Sequence, residues 1–125
     1  MYEVGLSKGF TAWHVMPGME GPEGELHSHD YRFDVVVTRA ELDERGMVCD
    51  LDLLDSALDH AIGIVADRNL EVIRPADADA VTVEILARWA HGELATRLAG
   101  DVQLSVRAWE SPEAFGGYAA PSNDS

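Results

Sequence analysis

The stretch His27-Ser28-His29-Asp30-Tyr31-Arg32-Phe33-Asp34-Val35-Val36-Val37-Thr38 decides how this chain folds. It ends in the run Phe33 to Thr38, rich in β-branched residues, which pack well on a pleated surface. It therefore predicts a strand over 27–38. On a strand, residues at i and i+2 point to the same side, so His27 and His29 share a face. Upstream, Tyr2, Val4, Leu6, Phe10, Ala12 and His14 occupy even positions over 2–14. That loose alternation predicts a strand with one buried face. Pro17, Gly18, Gly21, Pro22 and Gly24 mark the loop between the two strands.

Downstream, Glu41 to Gly46 is a polar turn, and strand two continues into a short return ending at Met47-Val48-Cys49. Asp50 or Asp52 is placed to cap a helix. Leu51, Leu54, Leu58, Ala61, Ile62 and Val65 follow at spacings of three and four, the stripe of a helix over 51–66. After a loop with Pro75 and Ala76, a second helix starts near Thr82. It turns Ile85, Leu86, Trp89, Leu94 and Leu98 inward and stops at Gly100. Residues 101–109 alternate as a strand, 115–118 form a last short one, and 119–125 form a flexible tail. Trp13 and Trp89 are expected in the core. The order strand, strand, helix, helix, strand, strand (ββααββ) is an α+β arrangement, an antiparallel sheet with two helices on one face. It makes one domain over 1–118.

The chain has 125 residues with 23 acidic and 9 basic side chains, a formal net charge of -14. One domain of this length buries a real core. The charge argues against binding a nucleic-acid backbone, which needs clustered Lys and Arg. It argues equally against anchoring on anionic lipid. An acidic surface reads as solubility or salt adaptation. One cysteine, Cys49, rules out an internal disulfide framework. The N-terminus has no signal-peptide pattern and no long apolar run exists, so a cytoplasmic location is expected.

Five histidines are present: His14, His27, His29, His60 and His91. His14 ends the strand that precedes His27 and His29. Three neutral imidazoles converging from adjacent strands make a zinc site with an open fourth position, the catalytic pattern. His27 and His29 alone carry less, since two surface histidines share that spacing. His60 and His91 fall off the apolar stripes and are expected at the surface.

These pieces together resemble the 6-pyruvoyl-tetrahydropterin synthase / 6-carboxy-tetrahydropterin synthase family, from about residue 2 to residue 118. Gly9-Phe10-Thr11-Ala12-Trp13-His14 is similar to its F-x-A-A-H segment, and Leu26-His27-Ser28-His29-Asp30-Tyr31 to L-H-G-H-N-Y. Gly46-Met47-Val48-Cys49-Asp50-Leu51 resembles G-M-V-x-D-F, and Val81-Thr82-Val83-Glu84 resembles P-T-x-E. Val106-Arg107-Ala108-Trp109-Glu110-Ser111 is similar to the last long strand, whose glutamate anchors the pterin ring. The resemblance implies the tunnelling fold, Zn2+ on His14, His27 and His29, and Glu110 holding the ring. It implies a homohexamer, a dimer of trimers with active sites at subunit interfaces. It also implies a small-molecule substrate, a reduced pterin such as 7,8-dihydroneopterin triphosphate.

The departures shape the expected chemistry. The family's catalytic cysteine stands four residues before the first histidine of the pair, and here that position is Glu23. This resembles a variant that cleaves the substrate side chain to 6-hydroxymethyl-dihydropterin. Glu23 is then the candidate base, with Glu25 the alternative in another loop register. The family's Asp-His pair aligns by helix length with Ala66 and Asp67; the competing alignment makes Asp59 and His60 that pair. Thr82 is a helix cap or a substrate contact. An acidic chain is a poor general host for a triphosphate. Any phosphate must meet a local patch of arginines or a neighbouring subunit. The expected activity is a zinc-dependent lyase. Its rivals are a diverged homologue acting on another heterocycle and a catalytically idle zinc- or pterin-binding protein.

Overall fold

The computed structural model describes residues 1–98 and 101–124. Strand β1 (Tyr2–His14) and strand β2 (His27–Arg39) form a long antiparallel hairpin. Helix α1 (Leu51–Val65) and helix α2 (Val83–Ala95) follow, then strand β3 (Gln103–Trp109) and strand β4 (Phe115–Pro121). The sheet order is β1-β2-β3-β4, antiparallel throughout. The α+β class and the order ββααββ are those expected from the sequence. Among the described residues, no helix is long and apolar enough to cross a membrane.

The strand period of two sorts the sheet into an apolar and a polar face. Phe10, Ala12, Tyr31, Phe33, Val35 and Val37 are buried beneath the helices, together with Leu104, Val106 and Ala108 of β3. On the other face polar side chains pair across strands: Ser7 with Asp34, Thr11 with Asp30, and Asp34 with the Trp109 indole. Helix α1 packs down Leu54, Ala57, Leu58, Ala61 and Val65. Asp50 is its cap, accepting from the Asp52 N–H. Leu51 lies outside that stripe and is 43% exposed.

Several expectations are corrected. Met47-Val48-Cys49 is not a return strand. The Asp43 carboxylate accepts the Arg45 and Met47 N–H groups, drawing them into a turn instead of a ladder. Trp13 is 42% exposed, because alternation puts it on the sheet face opposite His14. The third strand begins at Gln103 rather than at residue 101. The residues expected to form a tail from 119 continue β4 to Pro121, and Ser122–Asp124 form a short 3-10 helix. Pairing of Gln103 with Pro121 and a bond from the Ser122 N–H to the Val102 carbonyl hold them.

The buried face of α2 also differs from the expected one. Leu86, Ala87, Ala90, His91, Leu94 and Ala95 face inward, while Ile85 and Trp89 are half-buried and Leu98 lies past the helix end. His91, expected at the surface, is 1% exposed. Its Nε2 donates to the Ala120 carbonyl at 3.1 Å, which satisfies the buried ring. Gly100, the expected helix stop, lies outside the described residues.

Candidate metal centre

The hairpin register brings the three expected histidines together. His14 pairs directly with His27, and Ala12 with His29. With the strand period of two, all three imidazoles stand on the helix-covered face at one end of the sheet. One ligand atom from each lies within 4.8 Å of the others. The ring centres of His27 and His29 are 4.7 Å apart, and those of His14 and His27 are 5.0 Å apart.

The protonation pattern follows from the neighbours. His27 Nδ1 lies 2.7 Å from the Glu25 carbonyl, which only accepts, so Nδ1 carries the proton. Its Nε2 is then a free lone pair, and it is buried with no hydrogen-bond partner. Burial pushes the His14 imidazole below its ordinary pKa, and the neighbouring His27 and His29 push the same way. Neutral imidazole is the metal-binding form. An orphaned lone pair facing two further imidazoles is a donor set that fits a divalent ion of the zinc type, which takes nitrogen at about 2.0–2.1 Å. Three protein ligands leave a tetrahedral ion one open position.

A cavity of about 290 Å³ adjoins the cluster. His14, Glu23, Tyr31, Thr82, Glu84 and Glu110 line it with polar groups, and Met16, Met19, Leu70 and Leu86 supply apolar wall. Glu23 stands in the short 3-10 helix Gly21–Gly24, with Oε2 at 3.7 Å from His27 Nε2, too far for a hydrogen bond. Thr82 caps α2 by accepting the Ile85 N–H and also borders the cavity. Glu110 follows β3, where its N–H donates to the Ala114 carbonyl. Gly116 lets β4 pass the start of α2. A Cβ there would lie 2.7 Å from Val83 Cγ2 and 2.9 Å from the Glu84 nitrogen.

The remaining expected residues are elsewhere. Asp67 does not line the cavity. It has a positive φ of 59°, and its N–H donates to the Thr11 carbonyl on the free edge of β1. Asp59 is bound to Lys8 at 2.6 Å, and His60 lies 3.8 Å from Glu93, both outside the lining. Glu25 contributes its carbonyl to His27. Cys49 borders a different hollow with Leu42 and Leu51.

Tyr31 and Glu84 are lining residues that sequence reasoning missed. Tyr31 stands two residues after His29 on the same strand face, which was the available signal. It is 2% exposed, and burial pushes its phenol far above the usual range, with the Glu110 and Glu23 charges adding to it. Its hydroxyl therefore stays a proton donor at physiological pH. For Glu84 the signal was its place in the first turn of α2.

Comparison with known proteins agrees with this geometry. No curated protein matches the chain. Solved structures of the same fold include the 6-pyruvoyl tetrahydropterin synthase of Caenorhabditis elegans, at 20% identity and TM-score 0.75, covering 95% of each chain. The enzyme of Plasmodium falciparum matches at 12% identity and TM-score 0.77, covering 96% of this chain and 98% of its own. A Plasmodium vivax form with a catalytic glutamate replaced by cysteine matches at 13% and 0.78, with 96% and 98% covered. The family model for 6-pyruvoyl tetrahydropterin synthase matches residues 3–121, nearly the whole folded chain. By that match, and with three imidazoles gathered at one end of the sheet, the chain belongs to the 6-pyruvoyl tetrahydropterin synthase family.

Proposed function

We propose that this chain is a zinc-dependent lyase. Its substrate is a reduced pterin of the 7,8-dihydroneopterin type, cleaved to 6-hydroxymethyl-dihydropterin. The observation that carries the reading is the approach of Glu23 to the three-imidazole cluster, 3.7 Å from the unpartnered His27 Nε2. A carboxylate so near the metal ligands reaches the hydroxyl protons of a side chain bound beside them. The catalytic residue altered in the Plasmodium vivax structures is a glutamate, a precedent for Glu23 in the place of the family's cysteine.

His14, His27 and His29 would hold the zinc, which when bound would supply Lewis acidity to the reacting side chain. Glu23 accepts the proton of the second side-chain hydroxyl. The bond between the first and second side-chain carbons breaks, and the second carbon leaves as an aldehyde. The electron pair passes to the first carbon and into the ring C=N. Glu23 then returns the proton to the first carbon, completing the 6-hydroxymethyl group. Glu110 accepts two N–H bonds from the aminopyrimidinone edge. Thr82 contacts the ring from the start of α2. Asp67 stands outside this chain's own cavity, so it enters the reaction as a residue presented to a neighbouring subunit of a homohexamer, a dimer of trimers. A cytoplasmic location belongs to the same reading.

Mass spectrometry of products from zinc-loaded protein with 7,8-dihydroneopterin and its triphosphate tests this. A 6-hydroxymethyl product supports it, and a 6-pyruvoyl or 6-carboxy product assigns the parent activities instead. A second reading is a homologue acting on another heterocycle, or an idle zinc- or pterin-binding protein. Its support is that neither Asp67 nor Asp59 and His60 line the cavity. No turnover of either compound at full zinc loading selects it.

A further inference from the structure

Glu110 enters the cavity just past a strand end. Trp109 is the last residue of β3, and it is paired on both sides, with Arg32 of β2 and with Phe115 of β4. The ladder therefore stops one residue short of Glu110, which lines the cavity. Side chains alternate between the faces of a sheet, so Trp109 stands on the opposite, polar face. Whatever fixes Trp109 there also sets where Glu110 starts.

Three groups hold the indole. Its N–H donates to Asp34 Oδ2 at 2.7 Å. The Arg32 guanidinium lies over the ring, 4.9 Å from its centre, and the Phe115 ring packs at 4.5 Å. The ring contacts tolerate sliding, whereas the hydrogen bond is directional. Asp34 is itself braced. Its Oδ1 accepts from the Ser7 hydroxyl at 2.6 Å and from Arg32 Nε at 3.1 Å. Burial would raise the Asp34 carboxyl, but the Ser7, Trp109 and Arg32 donors together hold it below its ordinary value. It is therefore ionised at neutral pH, and hydrogen bonds to an ionised acceptor are the stronger kind. In the ladder Asp34 faces Arg107, so its bond to Trp109 runs diagonally to the strand end.

We propose that Asp34 is a positioning residue for ligand binding: through the Trp109 indole it fixes the end of β3, and with it the angle at which the Glu110 carboxylate meets the N–H edge of the heterocycle. A paired match of two oxygens to two N–H groups is sensitive to a small turn of the strand end. This rests on the pterin reading above, in which Glu110 takes that edge.

Isothermal titration of the zinc-loaded full chain with 7,8-dihydroneopterin, with steady-state rates and thermal melts beside it, tests the proposal. Asp34→Ala should weaken binding and raise KM by about tenfold, with kcat changed less than about twofold and metal content intact. Asp34→Asn keeps an oxygen acceptor for the indole and should restore affinity to within about twofold of wild type. Trp109→Phe removes the N–H and keeps a ring, and it should give the same loss as Asp34→Ala, also where that variant folds poorly. The two changes combined should bind no more weakly than either alone, since both remove one bond. Ser7→Ala removes a different bond to the same carboxylate and should leave affinity unchanged. Unchanged binding in Asp34→Ala and Trp109→Phe, additive losses in the combined variant, or an equal loss in Ser7→Ala overturns the proposal and leaves the pterin reading standing. If the wild-type chain does not bind the compound at millimolar concentration, the pterin reading itself fails and this inference goes with it.

Discussion

His27 donates its Nδ1–H to the backbone carbonyl of Glu25 at 2.7 Å, and that one bond decides which imidazole nitrogen faces the cluster. The carbonyl fixes the tautomer, so the Nε2 lone pair is directed inward where it has no protein partner. The loop ending at Glu25 thus orients the candidate metal site through its backbone.

His27→Ala should abolish stoichiometric metal binding, lowering affinity by roughly 100-fold or more, as loss of a ligand from a three-ligand site does. Metal analysis after dialysis reads this directly. Far-UV circular dichroism should be unchanged, since His27 stands at the end of β2 and is only half-buried.

Glu23→Gln and Glu25→Gln should behave differently. The first removes the proposed base and should lower turnover by about 10² to 10⁴-fold with metal content intact. The second leaves the carbonyl that holds His27 in place and should lower turnover little. Steady-state rates on matched metal-loaded samples decide it. Equal losses in the two variants would remove Glu23 from its assigned role.

The metal-free protein should lose stability in mild acid. His14 has a folded pKa below its ordinary value of 6.5, with burial the leading cause. Below 6.5 the unfolded chain therefore binds the extra proton and the folded chain resists it. This contribution is fully present above about pH 6.5 and is lost as pH falls toward the folded pKa. Asp43, held low chiefly by the Met47 N–H, loses its contribution only in a more acidic window. Thermal melts of metal-free protein between pH 8 and 5, against His14→Phe, check it. The variant should show a flatter profile in that range.

Gly116→Ala should destabilise the fold by about 1–3 kcal/mol, the usual cost of overpacking. The added carbon would meet Val83 Cγ2 and the Glu84 backbone nitrogen. Because those residues begin α2 beside Thr82 and Glu84, ligand affinity should fall together with the melting temperature. Gly92→Ala is the control, since nothing stands within 4 Å of its added carbon.

The amino-acid pattern determined a good deal. Alternation in β1 and β2 located the strands, the stripe from Leu54 to Val65 located α1, and two histidines at i and i+2 with a third ending the preceding strand named the ligand set. These were legible because strand and helix periods are local and repeat many times. The early stop assigned to β4 and the surface position given to His91 failed for the opposite reason. Ala119, Ala120 and Pro121 are weak strand formers, and only the edge offered by β3 draws them into the sheet. A polar ring on a helix is then buried because Ala120, 29 residues away, presents a carbonyl to it.

The same division runs through the site. Residue types and spacing along the chain pointed to the three imidazoles, and the family resemblance pointed to Glu23, Thr82 and Glu110. Tertiary structure alone gathered Tyr31 and Glu84 into the same cavity, left Asp67 outside it, and left the His27 lone pair free. Those facts depend on which distant segments stack against one another. A local sequence period records the direction of a side chain, but not what stands opposite it.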